Sequence, residues 1–252
     1  MDQKGVLADR IAVVTGGNRG IGAAIATSLA QAGARVNIGA RSVVDSEEAQ
    51  ISSHSLDVGS FDSVSAFIAW VERTSGSPDI LVNAAGITAH HLVEGHDEVL
   101  WQNVIDINLN GPFRMIRAVL PSMKAAERGV IVNIASTAAR TAVADHPAYC
   151  ASKSGLVGLT RAVALEGAPH GITCVAVSPS WVETDMLRAS AATMAAASGR
   201  TTADEIAAMA AASPQNRFVQ PGEVAELVTF ICSRKVPGLT MEDIQISGGA
   251  FW

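Results

Sequence analysis

The chain has 252 residues, of which 48% are hydrophobic and 17% are charged, and its formal net charge at pH 7 is −6. This composition can bury a sizeable core and argues against disorder, and the lack of a block of lysines and arginines argues against a nucleic-acid or anionic membrane partner. No apolar run is long enough to span a membrane, and the first ten residues have no apolar core of the kind that signal peptides carry. Its three widely spaced cysteines match neither a disulfide framework nor a metal site, so the sequence predicts a soluble cytoplasmic protein.

Short apolar runs rich in β-branched residues alternate along the chain with longer segments of helical period. We expect strands at 10–15, 34–40, 51–58, 79–83, 129–136, 171–177 and 243–247. We expect helices at 20–32, 61–74, 98–126, 148–167 and 221–233. Regular alternation of this kind predicts an α/β fold whose parallel sheet is doubly wound, with right-handed crossovers and helices on both faces.

About thirty alanine-rich residues after position 186 contain no predicted strand. Within them, Thr202 and Glu205 have the spacing of a capping box directly before IAAMAAA, which predicts a short helix. A helical excursion at the C-terminal edge of a parallel sheet is a suitable position for a substrate lid. We therefore expect a lid at about 187–216.

The segment TGGNRGIG, residues 15–22, joins the first predicted strand to the first predicted helix. Its small residues permit a tight turn, and they let a pyrophosphate approach the N–H groups that begin the helix. The glycines Gly16, Gly20 and Gly22 do not have the common G-x-G-x-x-G spacing, so the turn alone is weak evidence for a dinucleotide site.

Further motifs follow this turn in a fixed order. They are the pair Asp57-Val58, the segment NAAG at 83–86, an asparagine within DINLNGPF, and YCASK, whose tyrosine lies thirteen residues after the serine of VNIAS. With T-G-x-x-x-G-I-G opening a chain of about 250 residues, the sequence resembles the short-chain dehydrogenase/reductase family, and in particular its 3-oxoacyl-acyl-carrier-protein reductase-like members. The resemblance implies one Rossmann-fold domain of about seven strands over residues 1–252. It also implies an NAD(P)(H)-dependent oxidoreductase that interconverts a ketone and a secondary alcohol.

The resemblance assigns roles to individual residues. It implies a catalytic tetrad of Asn108, Ser136, Tyr149 and Lys153. The residues implied in cofactor binding are Gly16, Asn18, Arg19, Gly20, Ile21, Gly22, Arg41, Asp57, Val58, Asn83, Ala84, Gly86, Tyr149, Lys153, Pro179, Ser180, Val182 and Thr184. The residues expected around the substrate, together with the lid, are Ser136, Ala138, Ala139, Arg140, Val143, His146, Trp181 and Met186. The chain departs from the family at Ser180, because a glycine commonly follows the proline there.

The residue types of the tetrad suit hydride transfer to a carbonyl carbon, which leaves negative charge on the carbonyl oxygen. A tyrosine, with an ordinary pKa of about 10, is a poor base near neutral pH. Because an adjacent ammonium favours the phenolate, we expect Lys153 to lower the pKa of Tyr149. Ser136 would hydrogen-bond the substrate oxygen. By the resemblance, Lys153 would also bind the nicotinamide ribose, and Asn108 would hold a water of the proton relay.

The sequence favours NADP(H) over NAD(H). Ala40 occupies the position at the end of the second strand where an acidic residue usually binds the adenosine ribose, and Arg41 follows it. Arg19 lies within the glycine-rich turn, and a guanidinium suits a 2′-phosphate. Asp45 is the only nearby acid that could bind the ribose instead, and it lies several residues too late in the sequence; NAD(H) stays possible.

Other functions leave weaker signals in the sequence. No G-x-S-x-G motif is present, so a Ser–His–Asp hydrolase is not favoured. His90, His91 and Glu94 have no further ligand motif beside them, so we expect no metal. A sugar-alcohol or other secondary-alcohol dehydrogenase stays open, as does a dinucleotide-binding sensor without turnover. The resemblance further implies a homotetramer, with helices at 98–126 and 148–167 between subunits and the C-terminal FW in a contact.

Overall fold

The computed structural model of the protein describes residues 5–43 and 49–250. Within these residues a parallel sheet of seven strands has the order β3-β2-β1-β4-β5-β6-β7. The strands are β1 (Ile11–Thr15), β2 (Arg35–Ala40), β3 (Ile51–Ser55), β4 (Ile80–Asn83), β5 (Gly129–Ile134), β6 (Ile172–Pro179) and β7 (Asp243–Ile246). The strand order changes direction between β1 and β4, and the carboxyl ends of these two strands therefore border a crevice of the kind that binds ligands in doubly wound sheets. The predicted Rossmann fold is confirmed.

Helices cover both faces of the sheet. They are α1 (Gly20–Gln31), α2 (Phe61–Thr74), α3 (Glu98–Ile105), α4 (Gly111–Ala125), α5 (Pro147–Gly167), α6 (Asp185–Ser198), α7 (Thr202–Ala211) and α8 (Pro221–Cys232). On one face α1 and α8 pack on the strands through residues such as Leu29 and Val228. On the other face α2, α4 and α5 pack through residues such as Phe67, Met115 and Val163. None of the helices in the described part of the chain is long and apolar enough to cross a membrane.

The burial of the strands explains their sequences. Every residue of β4, β5 and β6 is buried, which accounts for their nearly unbroken apolar runs. The strand β3 lies at the edge of the sheet, and it is polar and partly exposed. This exposure explains why ISSHS gave a weaker strand signal than the central strands. The strand ends at Ser55, three residues before the predicted end.

The predicted helix at 98–126 is interrupted in its middle. Between α3 and α4 the chain forms a π-helical segment, Asp106–Asn110. A π-helical turn adds one residue to the helical circuit, and such turns occur frequently at functional sites. Here the turn contains Asn108, whose side chain is fully buried.

The expected lid consists of α6 and α7, which pack against each other. Their shared core includes Leu187, Ala191, Met209 and Phe218. The short helix at α7 is confirmed, but its predicted cap is wrong by one residue. Thr201, and not Thr202, caps α7, because its Oγ1 accepts a hydrogen bond from the backbone N–H of the third helical residue at 3.1 Å.

Candidate active site

A cavity of about 150 Å³ lies at the carboxyl ends of the central strands. Its walls come from the ends of β4, β5 and β6, from the start of α5 and from α6. The residues that line it are Ile21, Ala84, Gly86, Thr88, Ile134, Ala135, Ser136, Thr137, Val143, His146, Tyr149, Lys153, Pro179, Ser180, Trp181, Val182, Thr184, Met186, Leu187 and Ser190. Three of the four predicted tetrad residues therefore share one cavity wall.

The glycine-rich turn has a backbone that requires glycine. Gly16 and Gly20 have φ angles of 66° and 55°. A Cβ on Gly22 would lie 2.3 Å from the carbonyl oxygen of Gly16, which is closer than any side chain permits. The residue before α1, Arg19, is extended, and no described side chain caps this helix end. The first N–H groups of α1 are thus available to an anion, and the turn fits the pyrophosphate of a dinucleotide.

The NAAG segment lies against this turn. The hydroxyl of Thr15 accepts hydrogen bonds from the backbone N–H groups of Ala84 and Ala85, at 3.1 and 3.0 Å. Asn83 donates to the side-chain oxygen of Asn133 on the neighbouring strand at 2.8 Å. These bonds hold the segment at the crevice between β1 and β4, where a dinucleotide would lie.

The buried side chain of Asn108 forms hydrogen bonds to two other segments of the protein. Its Oδ1 accepts from the backbone N–H of Ile87 at 2.9 Å, and its Nδ2 donates to the carbonyl oxygen of Ile87 at 2.8 Å. The same Nδ2 lies 3.1 Å from the hydroxyl of Ser152 on α5. The side chain of Asn108 therefore connects three parts of the protein: the π-helical segment, α5 and the segment that follows β4. Its role in holding a water stays a prediction.

Lys153 is a buried cation. Its side-chain nitrogen donates to the carbonyl oxygen of Ile134 at 2.8 Å and lies 5.6 Å from the centre of the Tyr149 ring. The residue is only 5% exposed, and this burial lowers its pKa from 10.5 to about 8. The spacing of four residues on α5 places the two side chains side by side, as the sequence predicted.

The pKa of Tyr149 departs from the prediction. Burial raises it above its ordinary value, and this effect outweighs a hydrogen bond to Ser136 that lowers it. The expected lowering by Lys153 is therefore wrong for the protein alone, because desolvation of the phenolate has the larger effect. Tyr149 carries its proton at neutral pH, which suits a proton donor.

Ser136 lies two residues after the end of β5 and caps a short 3₁₀ turn, Thr137–Ala139. Its hydroxyl accepts from the backbone N–H of Ala138 at 3.1 Å, and the side chain lines the same cavity as Tyr149. A carbonyl oxygen placed between these two hydroxyls would receive hydrogen bonds from both. This arrangement can polarise and protonate a carbonyl group.

The predicted substrate residues divide into two groups. Val143, His146, Trp181 and Met186 line the cavity with Ser136, whereas Ala138, Ala139 and Arg140 do not. The buried Ala138 packs in the interior. The guanidinium of Arg140 forms an ion pair with the carboxylate of Asp243 on β7, with Nε at 2.8 Å from Oδ2. Arg140 therefore has a partner within the protein and does not take the expected place around the substrate.

Four cavity residues were missed by the sequence reasoning: Thr88, Ile134, Ala135 and Thr137. Leu187 and Ser190 also line the cavity; they lie on α6, within the predicted lid, where the alanine-rich sequence gives little sign of which side faces the cavity. The ring nitrogen Nε2 of His90 lies 3.1 Å from the hydroxyl of Ser190, and this contact joins the segment after β4 to α6. Burial, together with the neighbouring ring of His146, lowers the pKa of His90. No group of three His, Cys, Asp or Glu side chains within the described ranges is placed to hold a metal ion.

The remaining cofactor residues lie along the same crevice. Pro179 ends β6, and Ser180, Val182 and Thr184 follow it; all four line the cavity with Ile21, Ala84 and Gly86. The hydroxyl of Ser180 donates to the carbonyl oxygen of Ser247 at 3.3 Å, so it has a partner on the β7 side.

The residues predicted to lie near the adenosine do not line the cavity; they are Asn18, Arg19, Arg41, Asp57 and Val58. Arg19 and Arg41 are exposed at the surface. The carboxylate of Asp57 accepts from the N–H of Gly59 at 2.9 Å, and Val58 is buried. Asp45, the acid that could bind the adenosine ribose in NAD(H), is outside the described residues.

Comparison with known proteins agrees with this geometry. A family model described as short chain dehydrogenase matches residues 10–195. The chain therefore belongs to the short-chain dehydrogenase/reductase family and is an oxidoreductase, which is consistent with a secondary-alcohol/ketone reductase. Members of the family bind a nicotinamide dinucleotide. The glycine-rich turn and the uncapped N-terminus of α1 fit such a cofactor.

Similar proteins include reductases of acyl and polyketide substrates. The chain is 38% identical over 251 residues to "Monensin polyketide synthase putative ketoacyl reductase" of Streptomyces virginiae, covering 95% of this chain and 96% of that one. It is 33% identical over 251 residues to the 3-oxoacyl-[acyl-carrier-protein] reductase FabG of Vibrio cholerae, covering 97% and 98%. Its structure matches that of a point variant of actinorhodin polyketide ketoreductase with NADPH, with a TM-score of 0.91, 34% identity and coverage of 96% and 97%.

Proposed function

We propose that the protein is an NADP(H)-dependent ketoreductase of 3-oxoacyl or polyketide-type ketones. The observation that carries the proposal is the placement of Ser136, Tyr149 and the buried Lys153 on one cavity wall, at the crevice where the dinucleotide fits. The named activities of the similar proteins support the substrate class. A sensor without turnover would not need a buried ammonium beside a protonated tyrosine.

The site residues perform separate tasks in this reaction. The bound nicotinamide cofactor supplies the hydride. The hydroxyls of Ser136 and Tyr149 hydrogen-bond the carbonyl oxygen, and Tyr149 then donates its proton to that oxygen. The ammonium of Lys153 stabilises the phenolate that is left. Trp181, which lines the cavity and packs on the lid core, would keep water away from the reacting carbonyl.

The preference for NADP(H) rests on charge at the adenosine end of the crevice. Ala40, at the end of β2, is buried and offers no carboxylate to a ribose diol. Arg41 follows Ala40 directly and Arg19 lies in the glycine-rich turn; both are exposed cations, and guanidinium groups suit a phosphate. The NADPH of the actinorhodin ketoreductase structure supports the same choice.

We include in the proposal a cytoplasmic homotetramer. Val99, Phe113 and Leu165, on α3, α4 and α5, are 79%, 48% and 65% exposed, and large apolar side chains of this kind are often covered by a partner. Contact between copies through this helical surface would bury them. The cysteines in the described residues are all free thiols, which suits a reducing compartment.

A substrate panel tests the function. Purified protein is assayed with NADPH or NADH and a 3-oxobutanoyl thioester of N-acetylcysteamine or a cyclic ketone, and in the reverse direction with a polyol or an aldose. We expect the thioester and NADPH to give the highest kcat/KM. Faster oxidation of the polyol or the aldose would overturn the substrate class, and cofactor binding without turnover of any compound would favour the sensor.

A further inference from the structure

The hydroxyl of Ser136 is directed by the short 3₁₀ turn that this residue caps. Its carbonyl oxygen accepts from the backbone N–H of Ala139 at 2.9 Å, and its hydroxyl oxygen accepts from the N–H of Ala138 at 3.1 Å. The second bond uses a lone pair of the hydroxyl and leaves its hydrogen for another acceptor, such as a substrate carbonyl. The direction of this hydroxyl therefore depends on where the turn lies.

An ion pair joins the end of the turn to the edge of the sheet. The backbone N–H of Arg140 donates to the carbonyl oxygen of Thr137 at 3.0 Å, which makes Arg140 part of the turn. From Nε its guanidinium donates to the carboxylate of Asp243 at 2.8 Å, and Nη2 lies 3.4 Å from the backbone carbonyl oxygen of the same residue. Asp243 begins the edge strand β7, so the turn is bound to a distant part of the chain.

The carboxylate of Asp243 is itself held in one place. Its side chain is only 1% exposed, and its other oxygen accepts from the hydroxyl of the buried Ser178 on β6. Because a buried carboxylate is unfavourable without partners, it stays between these two donors. The guanidinium of Arg140 is thus bound to a group with a fixed position in the sheet.

Other bonds hold the chain on either side of Ser136. Before it, the carbonyl oxygen of Ile134 accepts from the ammonium of Lys153 at 2.8 Å. This bond fixes the chain that enters the turn, but it does not reach the N–H group that directs the Ser136 hydroxyl. Beyond that group, the hydroxyl of Ser154 on α5 donates to the carbonyl oxygen of Ala139 at 3.0 Å. The ion pair therefore supports the turn from the sheet, as α5 supports it from the helical side.

We infer that Arg140 and Asp243 are positioning residues, which place the Ser136 hydroxyl for its hydrogen bond to the substrate carbonyl. The inference rests on the proposed function, in which Ser136 makes that bond beside Tyr149. Neither member of the ion pair lines the cavity, so the pair acts through the turn and not by touching the substrate. It is needed for kcat and not for binding of the dinucleotide.

A double-mutant cycle on kcat tests this route. With NADPH and a 3-oxobutanoyl thioester, we expect Arg140→Met to lower kcat by about 10- to 100-fold, because a small misplacement of a catalytic group has effects of this size. The dissociation constant of NADPH should stay within about 2-fold. In the Ser136→Ala background, the same substitution should change kcat by less than about 2-fold, because no hydroxyl is left to place. Arg140→Lys keeps the charge and a donor, and it should retain most of the wild-type kcat.

Arg128→Met is the matched control. The guanidinium of Arg128 lies 2.8 Å from the carboxylate of Asp79, and the two side chains are 51% and 6% exposed. The corresponding values for Arg140 and Asp243 are 44% and 1%. Asp79 also has a second donor, Arg10, at 2.6 Å. This pair precedes β4 and β5, at the opposite end of the strands from the cavity. Both substitutions should lower the melting temperature, but Arg128→Met should leave kcat within about 2-fold of wild type.

Titration of Tyr149 gives a second readout that needs no turnover. Tyr149 is the only tyrosine in the chain, so the ultraviolet absorbance of phenolate reports this residue alone. The hydrogen bond to Ser136 lowers the pKa of Tyr149. Asp243→Asn should therefore raise this pKa by releasing Ser136, whereas removal of a negative charge alone would lower it. Stopped-flow mixing into alkaline buffers records the titration of the folded protein.

Three results would overturn the inference. They are a kcat within about 2-fold of wild type in Arg140→Met, an equal loss of kcat from this substitution with and without the Ser136 hydroxyl, and a pKa of Tyr149 that Asp243→Asn lowers. If Arg140→Met does not fold, Asp243→Asn takes its place in the cycle with the same expected results. If the wild-type protein does not reduce the thioester, the proposed function fails, and the titration decides the inference.

Discussion

Replacement of Lys153 by methionine should stabilise the protein while abolishing its activity. The ammonium of Lys153 is 5% exposed and has one hydrogen bond, to the carbonyl oxygen of Ile134. The positive charge of Lys153 supports proton donation by Tyr149, and its burial is unfavourable for folding. Methionine has a similar length and removes the charge together with that hydrogen bond.

The expected magnitude follows from the pKa of Lys153. Burial lowers this pKa from 10.5 to about 8. At about 1.4 kcal/mol for each pKa unit, the charged form costs the folded state about 3 kcal/mol. Loss of the hydrogen bond to Ile134 offsets about 1 kcal/mol of the gain. At pH 7 we therefore expect Lys153→Met to raise the free energy of unfolding by about 2 kcal/mol.

The pH dependence of this difference has a defined sign. The pKa of Lys153 is lower in the folded state, so between pH 8 and 10.5 the unfolded chain holds a proton that the folded chain has released. Wild-type stability therefore rises relative to the variant across this range, and the advantage of Lys153→Met disappears toward pH 10.5. The raised pKa of Tyr149 acts in both proteins, so its effect on the difference largely cancels.

Urea denaturation at equal protein concentration, repeated between pH 7 and 10, measures the difference. Lys235→Met, at an exposed position, serves as the control and should change stability by less than about 0.5 kcal/mol. A Lys153→Met variant that is less stable than wild type by 1 kcal/mol or more at pH 7 would refute the reasoning. It would show that Lys153 serves the fold.

Three further substitutions test other parts of the account. Gly22→Ala places a Cβ 2.3 Å from a backbone oxygen of the glycine-rich turn, so the affinity for NADPH, measured by fluorescence, should fall at least about tenfold. The control Gly222→Ala, where an added Cβ meets no atom within 4 Å, should leave this affinity unchanged. Ala40→Asp should shift the ratio of kcat/KM values toward NADH by about tenfold or more, because a carboxylate repels the 2′-phosphate; unchanged NADPH affinity would contradict the assignment. Glu223, whose pKa two bonds from Arg217 hold at about 2, should stabilise the start of α8 above about pH 4. Glu223→Gln should therefore lower the melting temperature at pH 7, and the difference from wild type should vanish as the pH falls toward 2; a constant difference would contradict this origin.

Much of the fold was predictable because its signals are local. The central strands are apolar throughout since they are covered on both faces, and this pattern can be recognised in the sequence of each strand alone. The glycine-rich turn and the pair Tyr149 and Lys153 likewise depend on short spacings. Their confirmed positions on the turn before α1 and on one side of α5 follow from those spacings.

The missed features depend on contacts between distant parts of the chain. The π-helical segment at Asp106–Asn110 positions Asn108 against Ile87, and the helical period of the sequence does not show one added residue. The partner of Arg140 is Asp243, 103 residues later, so the pair could not be predicted from either segment. The raised pKa of Tyr149 follows from burial by several elements together, whereas the sequence indicated only its neighbour on the helix.

The central claim is that Tyr149 donates the proton in a ketone reduction. The most direct test is the kcat for a 3-oxobutanoyl thioester with NADPH in wild type and in Tyr149→Phe, with the dissociation constant of NADPH measured on both. We predict a loss of about 10²- to 10⁴-fold in kcat, the usual contribution of a general acid, with NADPH binding retained within about threefold. A Tyr149→Phe variant that keeps kcat within a few fold of wild type would contradict the account.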